Sequence, residues 1–291
     1  MRQQKSERGL KTTLWGIGIN FLLALTKGTA GILGNSFALV ADAIESTSDI
    51  FSSTLVYLGL KVSTKPRDAN HPYGHGKAEP IVAIVVTLAL LAAAIVIIVE
   101  SIGEILTPHH APEPFTLVVL VLVVITKETL FRVVNKVGKE IRSTAVKTDS
   151  WHHRSDAITS AAAFVGIAVA LLGGKGWESA DDWAALAASG IIITNAVLLF
   201  LPALNEIMDA APGGDLDQSV AALARNVPGV IATEKCLIRK MGLEFVVEIH
   251  IQVDGAISVR EGHEIAHRVK DALLASELSI LDVLVHVEPG E

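Results

Sequence analysis

The chain has 291 residues, 24 Lys and Arg against 31 Asp and Glu, and a mean hydropathy of +0.49. Soluble domains average about 45–50% apolar and about 25% charged, so 51% hydrophobic and 19% charged residues turn the reading toward a bilayer. The acidic balance argues against nucleic acid as a partner, and the single Cys236 excludes a multi-cysteine metal site or an internal disulfide framework.

The first segment, MRQQKSERGLKTTL, is basic. A long apolar stretch follows without a small-residue cleavage site, so a removable signal peptide is not expected. Spans are predicted over residues 11–32, 37–61, 79–105, 115–137, 146–172 and 181–206. The clearest is IVAIVVTLALLAAAIVIIV, Ile81 to Val99, apolar but for one Thr. About 18 such residues suffice to cross hydrocarbon.

Lys and Arg are unevenly divided among the loops. Arg2, Lys5, Arg8 and Lys11 precede the first span; Lys61, Lys65, Arg67 and Lys77 follow the second; Lys136, Lys139, Arg142 and Lys147 follow the fourth. The opposite loops hold essentially Lys175 alone. The positive-inside rule then puts both termini in the cytoplasm. A prokaryotic inner membrane is the expected location.

From Asp209 the texture changes. AAPGGD reads as a linker, dividing the chain into a membrane domain, 1–208, and a cytoplasmic domain, 209–291. The tail reads helix 215–226, strand 229–239, strand 243–254, helix 258–276, strand 280–288. In LEFVVEIHIQV, Phe245, Val247, Ile249 and Ile251 share one face while Glu248, His250 and Gln252 share the other. Asp282, His286 and Glu288 likewise lie opposite Val283, Val285 and Val287. The αββαβ order suggests a ferredoxin-like α+β domain. The predicted fold class is therefore an α-helical membrane protein of six transmembrane helices with this domain at its C-terminus.

Ionisable residues inside spans cost at least about 2.5–3.5 kcal/mol each on insertion scales and persist where paired or lining a polar path. The second span holds Asp42, Glu45 and Asp49; the fifth holds His152, His153, Arg154 and Asp156. Glu45/Asp49 and His152/Asp156 are i,i+4 pairs, each on one helical face. Joined, they offer three carboxylates and an imidazole, a four-ligand shell for a divalent cation. A cation binding such a cluster displaces protons, which is the basis for expecting metal/proton antiport. Set against this, such groups can be helix-packing or capping polars. Lys127 in the fourth span either neutralises a carboxylate on another span or snorkels, and Glu128 faces elsewhere and can join the polar path. The loop RDANHPYGHGKAE offers Asp68, His71 and His75 around Gly74 and Gly76. His109 and His110 read as ordinary loop residues. His250 and His286, with His263 and His267 one turn apart, read either as metal sites or as polar surface.

With ALVADAIESTSD, NHPYGHGKAE and WHHRSDA in this order before a ferredoxin-like tail, the chain resembles the cation diffusion facilitator family over nearly its whole length. The resemblance implies a homodimer of six-span protomers exporting zinc or a related cation by alternating access with proton counter-transport. It implies a transport site at Glu45, Asp49, His152 and Asp156, and a loop site at Asp68, His71 and His75. It also implies a charge interlock of Lys77 with Asp209 near the dimer interface, and tail ligands His250, His263, His286 and Glu288. Two positions depart from the pattern. Glu45 stands where relatives usually carry His or Asp, which makes the shell oxygen-rich and suits manganese or iron as well as zinc. Glu234 stands where a tail histidine is common.

The metal is expected as substrate and possible regulatory ligand, not as a catalytic cofactor. A membrane-anchored metal sensor and a passive cation channel are the rival readings. No HExxH, GxSxG or phosphate-binding loop occurs, so an enzyme is not expected.

Overall fold

The computed structural model describes residues 2–33, 37–106, 115–173, 177 and 180–290; within these ranges the helix side chains of 2–6, 30–33 and 37–45, Glu45 among them, and scattered others lie outside the description. His109, His110 and Lys175 also fall outside it. Six long helices come first: α1 (Arg2–Leu33), α2 (Phe37–Ser63), α3 (Ala78–Leu106), α4 (Thr116–Ile141), α5 (Thr144–Gly173) and α6 (Ala180–Ile207). They are followed by α7 (Leu216–Arg225), β1 (Ala232–Met241), β2 (Glu244–Asp254), α8 (Val259–Ala275) and β3 (Ile280–Gly290).

The shortest long helix, α4, has 26 residues, or about 39 Å at 1.5 Å per residue, more than the roughly 30 Å hydrocarbon core. Ala78–Gly103 and Asp182–Ile207 are apolar enough to cross on composition alone. The other long helices carry more polar residues, and the structure turns many of these inward.

The chain divides into two compact units, one of Gln3–Ser63 with Ala78–Leu204 and one of Thr64–Lys77 with the chain from Asn205 onward. The helical unit inverts the pattern of a soluble protein. Trp15, Leu22, Val99 and Leu172 are 75%, 61%, 65% and 90% exposed, while Ser53, Glu79, Lys127, Asp149 and His153 are essentially buried. Apolar outside and polar inside is the arrangement that lipid imposes on a bundle with an internal polar path.

α4 and α5 form a tight hairpin whose turn is residues 142 and 143. Arg142 closes α4 in the left-handed conformation (φ 61°), and its N–H reaches back to the carbonyls of Gly138 and Lys139. Ser143 begins α5, its hydroxyl accepting from the Val146 N–H at 3.1 Å. Gly138 allows the close approach, since a Cβ there would lie 3.0 Å from the Lys147 nitrogen. α5 also packs on α2 and α3.

In the second unit, β2 alternates buried and half-buried residues along its length. Phe245, Val247, Ile249, Ile251 and Val253 form one core with Val220, Ala224, Ile265, Val269 and Leu273. β1 pairs antiparallel with β2, and β2 pairs parallel with β3. The αββαβ order agrees with the sequence reading. A ferredoxin-like split βαβ unit would insert a strand between the two parallel neighbours; here β2 and β3 are bonded directly, in a three-stranded sheet ordered β1-β2-β3. Ser258 and Glu261 start α8 with a reciprocal capping box.

Candidate metal centres

Among the described residues, three groups of His and carboxylate side chains bring their ligand atoms within 4.8 Å of one another. One lies inside the helical bundle. Asp49 on α2 is 3% exposed and His152 on α5 is 9% exposed. His152 Nε2 lies 2.8 Å from Asp49 Oδ1, and Asp156 completes the trio from one turn further along α5. The i,i+4 spacing of His152 and Asp156 aligns them on one face, and the α2–α5 packing brings Asp49 to that face. The Glu45 side chain, expected as the fourth ligand, lies outside the described residues.

Lys127 enters the same trio from α4. Its ammonium donates to Asp49 Oδ2 at 2.5 Å and to Asp156 Oδ2 at 2.9 Å, with the side chain 1% exposed. Of the two sequence readings for this lysine, neutralisation of carboxylates on other helices is the one observed; snorkelling is not. The positive charge that lets the two acids lie so close is therefore built into the chain. Glu128 faces elsewhere, pairing with Arg132 at 2.8 Å.

The neighbouring interior holds polar groups beyond the expected site. Asp149 accepts from the Ser53 hydroxyl at 2.9 Å, and the fully buried His153 lies 3.9 Å from Asp149. Neither ring nitrogen of His153 has a hydrogen-bond partner among the described residues. Asp149 escaped the sequence reading, although its i,i+4 relation to His153 was available.

The second group sits in the loop between α2 and α3. Asp68 Oδ1 accepts from the Asn70 N–H at 3.0 Å and the His71 N–H at 2.7 Å, an Asx turn that returns the chain on itself. The His71 backbone bond, and after it the His71 side chain, hold the Asp68 carboxyl below its ordinary range. His71 Nδ1 and His75 Nε2 lie 3.2 and 3.3 Å from the two Asp68 oxygens, with ring centroids 4.4 Å apart. Gly74, at φ 90°, supplies the turn between them. All three residues named from the sequence converge.

The third group is on the sheet. The parallel register sets His250 opposite His286 and Gln252 opposite Glu288. His250 Nδ1 lies 2.7 Å from Glu288 Oε1 and His286 Nε2 lies 3.5 Å from it. Hydrogen bonding with Glu234, then with His250, holds the Glu288 carboxyl below its usual range. His263, also named as a tail ligand, is not among these three. It lies on α8, which covers the opposite, apolar sheet face through Ile265, Val269 and Leu273, and its Nε2 meets that of His267 at 3.1 Å.

Lys77 and Asp209 pair at 2.5 Å within one chain, and Lys77 also donates to the Glu206 carbonyl. Arg239 approaches Asp209 at 3.5 Å. The interlock read from the sequence is thus a contact inside the second unit.

The model of the cation efflux transmembrane domain matches residues 14–208, and that of the cation efflux protein cytoplasmic domain matches residues 212–290. The chain is 27% identical to the manganese efflux system protein MneP of Bacillus subtilis, over 99% of both chains. It is 29% identical to the magnetosome protein MamB of Magnetospira sp., covering 94% of this chain and 93% of that one. With the cation-efflux pump FieF of Pectobacterium carotovorum the identity is 30%, over 87% of this chain and 84% of the pump. Two domain models in tandem, spanning a polar-cored helical bundle and its sheet domain, establish that the chain belongs to the cation diffusion facilitator family, whose members are membrane-integral cation efflux proteins.

Proposed function

We propose that this protein exports a divalent transition-metal cation from the cytoplasm by alternating access, in exchange for protons. The convergence of Asp49, His152 and Asp156 inside the bundle carries the reading. An anchor helix has no use for two acids and an imidazole at membrane depth, and a divalent cation is the ligand that such donors suit. In this account Glu45 supplies the fourth ligand. The cation enters from the cytoplasm, displacing protons. Rocking of the helices then exposes it to the other side, where protons compete it off.

Zinc is the first cargo we name, because imidazole suits it and the family commonly carries it. Manganese is the second, supported by two carboxylates against one imidazole and by likeness to a manganese efflux protein. The loop trio and the His250/His286/Glu288 trio are read as further metal sites, and the sheet domain as the contact of a homodimer. Six spans with both termini cytoplasmic complete the proposal.

The test is uptake of zinc and of manganese into inverted vesicles under an imposed proton gradient. Uptake by the natural protein should follow the gradient and vanish in Asp49→Ala and Asp156→Ala. Natural-level uptake by either variant would sink the site. Flux indifferent to pH would leave a passive channel instead.

A further inference from the structure

The lysine inside the transport trio is used by nothing in the proposed cycle, yet it holds the centre of the site. Its ammonium bonds one oxygen of Asp49 and one of Asp156, and His152 takes the other oxygen of Asp49. A transition metal binds carboxylate oxygen at about 2.0–2.2 Å and imidazole nitrogen at about 2.0–2.1 Å. With the three ligand atoms within 4.8 Å of one another, an ion bonded to all of them draws on the same two carboxylates that the ammonium holds. Two cations then compete for one pair of acids. With Lys127 in place, Asp49, Asp156 and the ammonium sum to one negative charge; with Lys127 withdrawn the two acids sum to two, a stronger pull on a divalent ion. Like charges so close still repel in a buried site, where water screens them little.

We infer that Lys127 is a tethered competitor for the transported cation: its ammonium occupies the carboxylates of Asp49 and Asp156 and must be displaced for a divalent ion to bind. This rests on the transport-site reading above. The four-carbon stem lets the charge move without moving α4. Lys127 thereby weakens binding and speeds release, which a carrier needs on its delivery side. Because it offsets one of the two acid charges, it also leaves the unloaded carrier a single negative charge for a proton to meet on the return. A lysine that merely holds the bundle together makes the opposite forecast, because its removal loosens the site and weakens metal binding.

The experiment compares natural protein, Lys127→Met, Lys127→Arg and Asp49→Asn in inverted vesicles, with initial zinc uptake measured against zinc concentration. Lys127→Met should lower KM by about tenfold or more as the competing charge is removed, and should lower kcat because release slows. Lys127→Arg, which keeps the charge, should stay within a few-fold of the natural KM. If Lys127→Met is too slow to assay, zinc binding to the purified full-length protein is titrated directly, in a His71→Ala/His250→Ala background that weakens the other two sites. Binding tighter by about tenfold supports the inference; equal or weaker binding overturns it. Asp49→Asn separates the two failures. If it takes up zinc normally, the site itself is wrong. If it is inactive while Lys127→Met keeps the natural affinity, only the competitor role falls.

Discussion

Asp49 carries more of the buried network than Asp156, because its two oxygens serve different partners, His152 and Lys127. Lys127 keeps a carboxylate if Asp156 is lost, whereas loss of Asp49 takes a partner from both Lys127 and His152. Breaking a buried ion pair by removing one partner costs about 3–5 kcal/mol. Asp49→Ala should therefore lower the melting temperature of the purified protein more than Asp156→Ala does, even though both are expected to abolish transport. Equal shifts would mean that the network is not shared in this way. The sequence made part of this site legible. An i,i+4 spacing fixes a face, so His152 and Asp156 could be paired by inspection. It does not say which neighbouring helix that face meets, and the role of Lys127 depends on the α4–α5 hairpin turn at Arg142 and Ser143. The same limit explains His263. Its residue type suited a metal cluster, but its place on α8 sets its ring against His267 rather than within the His250, His286 and Glu288 trio.

Elements in the second unit are joined by contacts that a single atom can disturb. A Cβ at Gly76 would lie 2.6 Å from the Met241 carbonyl carbon and 2.9 Å from the Gly242 nitrogen, both backbone atoms of the β1–β2 turn. Backbone cannot rotate aside as a side chain can. Gly76→Ala should thus destabilise the unit by about 1–3 kcal/mol, and should disturb the adjacent His75 more than Gly74→Ala disturbs packing. Thermal unfolding with and without zinc checks both points. Asp282 ties the same loop to the sheet domain, accepting from Arg67 and Lys270 at 2.9 Å each. Burial alone would raise its carboxyl; the Lys270 hydrogen bond, then that of Arg67, brings it below the ordinary 3.8. A carboxyl depressed in the folded state contributes stability above its unfolded value, and that contribution is lost as pH falls through the folded value. Asp282→Asn should therefore be less stable than the natural protein at neutral pH, and the gap should narrow below about pH 4. A gap independent of pH would remove the ion pair as its cause. The strands and helices of this unit were readable from alternation and capping residues such as Ser258. Its strand order was not, because alternation identifies a face without identifying the neighbour.

At the scale of the whole molecule, the distribution of Lys and Arg makes a claim that local geometry does not. Basic residues cluster in the first turns of α1, around the α2–α3 connection, and around the α4–α5 turn. Under the positive-inside rule that bias orients the chain with the sheet domain in the cytoplasm. The chain is well suited to a labelling test, because Cys236 is its single cysteine. Burial, and then the nearby Asp217 charge, push that thiol up to about 11. Since the thiolate is the reactive form, Cys236 should label slowly at neutral pH, and Cys236→Ser removes it altogether. Val259, the first residue of α8, is 92% exposed, so Val259→Cys in that background offers one open thiol on the sheet domain. A membrane-impermeant maleimide should modify it in inverted vesicles and leave it untouched in intact cells. Rapid labelling in intact cells would put the sheet domain outside, reverse the direction of every proposed transport step, and turn the candidate metal site of that domain toward the medium.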